Sequence, residues 1–157
     1  MTVRLIREAS LVDIKREMGQ MFHEGMVDPS VKRLAEEAVA GKPDQISAVF
    51  EFVRSTFPYV PDPESAELFI HPRVRAEAYF RSEIRGGDCD DAALLTAAMY
   101  GALGYRTRIL LVDSGSGDLD HALAQVSTNI GWINADTTDT QNPLGWVKNF
   151  GQTVIIE

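Results

Sequence analysis

Cysteine is almost missing from this 157-residue chain, which has one, Cys89. A single thiol excludes an intramolecular disulfide and any thiolate-cluster metal site. Histidine is nearly as scarce: His23, His71 and His121 stand far apart, and none opens a His-Glu-x-x-His pattern. Neither a metal nor a cofactor is therefore expected. Long apolar runs are missing as well, with nothing approaching the roughly 18 consecutive residues of a membrane span. The N-terminal MTVRLIREASLVDIKRE breaks each short apolar patch with charge, so no signal-peptide core is expected and the reading is cytoplasmic. Positive charge is in deficit, 15 Lys and Arg against 23 Asp and Glu for a net −8, and the basic residues form no dense run. A nucleic-acid partner, which needs a cationic surface, is not expected, and the acidic balance reads as a solvated surface.

What is present is ordinary for a globular protein. Hydrophobic residues make up 45% and charged residues 24%. The length suits a single domain over 1–157, which should remove roughly 70% of the extended chain's surface from water on folding.

The first half reads as helical. Asp28-Pro29 is a cap followed by a proline at the first helical position, and Val31, Leu34, Ala35, Ala38 and Val39 repeat at helical spacing up to Gly41. Pro43-Asp44 opens a second helix, with Ile46, Val49, Phe50 and Val53 as its stripe, ending near Phe57-Pro58. Prolines over Tyr59–Pro72 predict an extended linker. Segment 73–85 predicts a short helix before the Gly86-Gly87 break. From Asp88 to about Leu103 a further helix presents Ala92, Leu95, Ala98, Met99 and Ala102 as its main buried face. The rest predicts strands, at Arg106–Val112, Ala122–Thr128, Ile130–Ala135 and Thr153–Ile156. Helices followed by a run of antiparallel strands indicate an α+β fold.

Cys89 falls at the start of the helix after Gly86-Gly87. Open N–H groups and the positive end of the helix dipole favour a thiolate there, and the glycines give a substrate backbone room to approach. Asp88, Asp90 and Asp91 oppose this, each costing a thiolate on the order of 1 kcal/mol within roughly 7 Å. An imidazolium would restore the balance. His121, on a strand face with Leu123 and Gln125, is the candidate. Asp136, on the Trp132–Asn134–Asp136 face of the next strand, reaches the His121 ring if the two strands form a hairpin. That order is nucleophile, base, orienting carboxylate. Spacing alone leaves two readings open, since a lone cysteine also serves as a small buried hydrophobe and a strand histidine as a structural hydrogen-bonder.

The stretch Gly87-Asp88-Cys89-Asp90-Asp91-Ala92-Ala93-Leu94-Leu95, with Ala102-Leu103-Gly104-Tyr105-Arg106-Thr107-Arg108 after it, resembles the nucleophile helix and following strand of the transglutaminase-like cysteine-enzyme superfamily. His121-Ala122-Leu123-Ala124-Gln125-Val126 and Trp132-Ile133-Asn134-Ala135-Asp136-Thr137-Thr138 resemble its histidine and aspartate strands. Phe57-Pro58-Tyr59-Val60-Pro61-Asp62-Pro63, followed by Glu67-Leu68, resembles the segment upstream of the cysteine in phage and prophage members, and Gly-Asp-Cys-Asp-Asp points to the same branch. The resemblance spans about residues 45–147. It implies a papain-like core, with N-terminal helices and a nucleophile helix packed on an antiparallel sheet. It also implies Cys89 as nucleophile, His121 as general base and acid, and Asp136 as the carboxylate that orients it. Leu123 and Gln125 stand where the family strand carries aromatic and acidic residues, and Ala135 where a larger apolar residue is usual.

The implied activity is hydrolysis of an amide or peptide through a Cys89 acyl-enzyme, acting on a peptide or protein substrate. Acyl transfer to amines, as in a transglutaminase, is the rival chemistry. A phage or prophage structural or assembly component keeping the fold for binding is the non-catalytic rival. Gly87 and Trp132 are weaker candidates for a substrate groove, and Trp146 is a further one. The Cys89 backbone N–H is a natural oxyanion donor, and its side-chain partner is not evident from the sequence.

Overall fold

The computed structural model describes residues 3–7, 10–63 and 66–157. The first three helices each begin at a side chain that satisfies N–H groups left open by the first turn. At α1 (Leu11–Met26) Ser10 and Asp13 form a reciprocal capping box. Asp28 accepts from the N–H groups of Ser30 and Val31 at α2 (Pro29–Val39), and Asp44 accepts from Ser47 at α3 (Gln45–Thr56). The second and third helices match the expected spans closely. The first opens without a proline and carries Gly19 and Gly25 within it, and its buried apolar stripe is Met18, Met21 and Phe22.

The segment expected as an extended linker contains a strand. β1 (Val3–Arg7) pairs antiparallel with β2 (Ala66–Ile70), Leu5 opposite Leu68, while residues 64–65 of that segment lie outside the described residues. An extended run announces itself locally, but a partner strand so far upstream does not. The helix expected over 73–85 is shorter: α4 (Pro72–Phe80) is capped by His71 and stops at Arg81, and Ser82 turns the chain away with φ +61°.

At the centre lies α5 (Cys89–Ala102), packed against α1, α2, α3 and the sheet. One buried face was expected. Instead Leu94, Leu95, Ala97, Ala98, Met99 and Tyr100 are all fully buried, whereas Ala92 and Ala102 are half-buried. Small residues make this enclosure possible. A Cβ on Gly25 of α1 would lie 3.0 Å from the Ala98 Cβ, so the two helices meet almost backbone to backbone. Truncating Leu94 or Leu95 to alanine in such a site costs about 2–5 kcal/mol.

The sheet comprises β3 (Thr107–Val112), β4 (His121–Thr128), β5 (Gly131–Ala135) and β6 (Thr153–Ile156), in the order β5-β4-β3-β6 and antiparallel throughout. Ile109, Leu111, Ala122, Ala124, Val126 and Ala135 belong to the core shared with α5. Leu110, Val112 and Leu123 alternate to the other face and pack with Phe150. The fold is the expected α+β, papain-like arrangement of a helix on an antiparallel sheet. Its register decides the site: Val112 lies opposite His121, and Ala124 opposite Ala135. His121 at the start of β4 and Asp136 just past β5 therefore reach the same sheet end. No helix among the described residues is long and apolar enough to cross a membrane.

Candidate functional site

Asp88 caps α5, accepting from Asp90 N (3.1 Å) and Asp91 N (3.3 Å), while Asp91 accepts from Asp88 N (3.2 Å). This reciprocal box sets Cys89 as the first helical residue. Gly86 and Gly87 are required by close approach. A Cβ on Gly86 would lie 2.7 Å from the Pro58 carbonyl oxygen, and one on Gly87 2.6 Å from the Asp91 carboxylate. Gly87 also donates to Pro58 O (3.2 Å) and accepts from Val60 N (2.8 Å). The room these glycines leave is thus used by the chain's own Pro58–Val60 segment.

That segment brings Tyr59 to the sulfur. Tyr59, Cys89, Asp120, His121, Thr138, Asp139 and Thr140 line one open cavity of about 410 Å³. A neighbouring one of about 270 Å³ continues past His121 and Asp136 to Trp146, Lys148 and Phe150.

His121 Nε2 lies 2.7 Å from Asp136 Oδ2, and both side chains are largely buried. The second Asp136 oxygen accepts from Thr138 N (3.2 Å) and Thr138 Oγ1 (2.7 Å), which fixes the carboxylate. Burial pulls the His121 pKa down, but the Asp136 hydrogen bond and charge, helped by Asp120, outweigh it and hold the ring above its ordinary value. For Asp136 burial pushes up, and the His121 and Thr138 hydrogen bonds overcome it, so the carboxyl sits below its usual range. A structured imidazole–carboxylate pair results, with Nδ1 as the ring nitrogen not engaged by Asp136.

Cys89 faces the same cavity, yet among the described residues no hydrogen bond joins it to His121. Its Sγ lies 4.0 Å from Asp90 Oδ1. Burial, then the Asp90 and Asp88 charges, push the thiol far above its ordinary value, opposed by a hydrogen bond from the Ala122 backbone. At rest it is a neutral thiol. Burial and the carboxylates therefore outweigh the helix N-terminus at this position.

Trp132 stands elsewhere. It pairs across from Ser127 on β4, with the Arg108 guanidinium 4.0 Å and that of Arg106 5.4 Å from its ring centroid, and it does not line the Cys89–His121 cavity. Trp146 does reach the neighbouring hollow. Sequence reasoning missed Tyr59, Thr138 and Lys148. For Thr138 a signal existed, because an Asp-x-Thr turn lets the hydroxyl bond back to the carboxylate. Three carboxylates, Asp62, Asp88 and Asp91, converge within 4.8 Å and could hold a cation. Each already accepts main-chain N–H groups, Asp62 from Leu68 and Asp91 from Ile70.

Solved structures share this fold. A candidate cysteine protease from Cytophaga hutchinsonii superposes with a TM-score of 0.53 at 15% identity, over 98% of this chain and 61% of that one. A candidate protease from Parabacteroides distasonis gives 0.52 at 13% identity, over 83% of this chain and 27% of that one. The chain therefore spans only part of either neighbour's length. No curated protein sequence matches it. The sequence profile of the Transglutaminase-like superfamily matches residues 31–137, a range that runs from α2 through α5 to just beyond Asp136, and the chain belongs to that superfamily.

Proposed function

We propose that the chain is a cysteine-nucleophile amide or peptide hydrolase in which Cys89, His121 and Asp136 act as a triad. The observation that carries the reading is the 2.7 Å His121–Asp136 hydrogen bond beside the cavity that Cys89 enters. Because the thiol rests neutral, deprotonation and attack belong to one step. His121 takes the thiol proton as Sγ bonds to the substrate carbonyl carbon. The carbonyl oxygen becomes an oxyanion held by the Cys89 N–H, with the Tyr59 hydroxyl as second donor. Collapse breaks the C–N bond, and the amine leaves with the proton from His121. Water, deprotonated by the same ring, then attacks the thioester, and the carboxylic acid leaves as the thiol is restored. Asp136 keeps the ring oriented and stabilises its positive charge throughout.

The substrate is a peptide or protein acyl group. Gly87-Asp88-Cys89-Asp90-Asp91 supports a place in the phage or prophage branch, where such an enzyme would act on phage-associated material. The test is turnover of a panel of peptide, amide and ester substrates by wild type and Cys89→Ala, with and without an added primary amine. Release of acid lost on Cys89→Ala supports hydrolysis. Amine incorporation in place of acid release would assign acyl transfer, and equal behaviour of the two proteins would sink the enzyme reading.

A further inference from the structure

Arg75 is a fully buried charge that the triad does not use, with 1% of its surface exposed. It lies on α4, and its guanidinium is held by main-chain carbonyls. Nε donates to Arg85 O at 3.2 Å and Nη1 to Asp91 O at 2.9 Å. Those two acceptors bracket Gly86, Gly87, Asp88, Cys89 and Asp90, the whole nucleophile turn. The guanidinium also lies 4.7 Å from the Phe57 ring centroid, at the base of the segment that delivers Tyr59. No carboxylate among the described residues comes within ion-pair distance of it. Burial lowers its pKa to about 10, and Asp91 and Asp88 resist that fall, so it remains charged at neutral pH.

We propose that Arg75 is the positioning residue of the nucleophile turn: its fork pins both ends of the Gly86–Asp90 loop. The charges facing the thiol are Asp88 and Asp90 from α5, Asp120 and His121 at the head of β4, and Asp136 beyond β5, with the phenol of Tyr59 beside it. Asp62 and Asp91 stand with Asp88 in the carboxylate cluster. Acidic groups dominate this set, and Arg75 holds the turn from behind without entering the cavity. An arginine suits the place better than a lysine because one planar group reaches two carbonyls at fixed separation.

The role rests on the Cys89 chemistry proposed above, but its test does not need turnover. Cys89 is the chain's one cysteine, so iodoacetamide reports on it alone. Alkylation rates are measured against pH for wild type, Arg75→Met and Arg75→Lys, with folding followed by circular dichroism. Arg75→Met removes both anchors of the turn, so the alkylation rate of the half-buried thiol rises several-fold at a given pH in a protein that still folds. Arg75→Lys keeps one of the two anchors and falls between wild type and Arg75→Met in alkylation rate, with a lowered kcat on any acyl substrate at little change in KM. Unchanged alkylation profiles and unchanged kcat in folded variants overturn the proposal. So does failure of both variants to fold, since Arg75 would then support the core rather than the turn. A shifted alkylation profile in a protein without acyl turnover would retain Arg75 and remove the hydrolase reading instead.

Discussion

Replacing Asp90 with asparagine isolates the largest of the charges that, after burial, raise the thiol pKa. The Asp90 carboxylate oxygen lies 4.0 Å from Sγ. Two unit charges about 4 Å apart interact by about 1 kcal/mol in water and about 4 kcal/mol at an effective dielectric near 20, or roughly 0.7 to 3 pH units. Asp90 is half-buried, so solvent screens part of the repulsion. A downward shift of about one to two units in the thiol pKa follows. The amide keeps an oxygen near the sulfur, and loss of a favourable charge at the helix N-terminus costs only about 0.3–1 kcal/mol. The assay is the iodoacetamide rate constant at a fixed pH below the thiol pKa, where it follows the thiolate fraction, compared with wild type under identical salt; a faster rate is expected. A rate that is unchanged or falls would refute the reasoning, because the thiol would then be governed by burial alone.

Removing the Asp136 carboxylate (Asp136→Ala) takes away what raises His121: its pKa falls on an NMR titration, and acyl turnover drops about 10²–10⁴-fold. Turnover itself should rise with pH through the elevated His121 pKa, because the base must be neutral when the thiol is still protonated; full activity well below pH 6 would point to a preformed ion pair. His71 gives a stability effect of opposite origin. Burial lowers its pKa below 6.5 against the pull of Glu24, and its Nδ1 accepts from Arg73 N. The unfolded chain therefore takes up the proton first, so the contribution is complete above about pH 6.5 and is lost as pH falls toward the folded pKa. His71→Asn, a good cap that does not titrate, should flatten the decline of melting temperature between pH 7.5 and 5 relative to wild type. Gly86→Ala would drive a Cβ against the Pro58 carbonyl and Val60, and a loss of about 1–3 kcal/mol in urea unfolding is expected.

How far the site could be read from the sequence depended on whether the information was local. The α5 start was legible because Asp88 is a cap and Gly86-Gly87 a break, and both features act within four residues. The sheet was legible because Ile109, Leu111, Ala122 and Ala124 alternate with residues of the opposite face. The His121–Asp136 hydrogen bond needed only a hairpin between adjacent strands. Tyr59 and β2 were not legible. Each is an extended segment whose meaning comes from a partner distant in sequence, Gly87 in one case and β1 in the other. Arg75 was hidden for a different reason. Sequence patterns assign a charged residue to a helix's solvent face, and nothing local says that two carbonyls of a later loop will enclose it.

The same division explains how the charge on Cys89 is set. A helix N-terminus and three adjacent aspartates are both visible in the sequence, and they push the thiol in opposite directions. Their sum depends on depth, since desolvation penalises the thiolate while low dielectric strengthens every neighbouring carboxylate. Half-burial at the mouth of the cavity puts Cys89 where both effects favour the thiol. The neutral state shields the chain's one cysteine from indiscriminate chemistry, because a thiolate is the species that oxidants and alkylators attack. In the proposed reaction the proton passes to His121 as the sulfur–carbon bond forms, so the negative charge develops on the carbonyl oxygen, toward the donors at the turn, rather than on sulfur. The carboxylates that oppose a resting thiolate therefore oppose this step less.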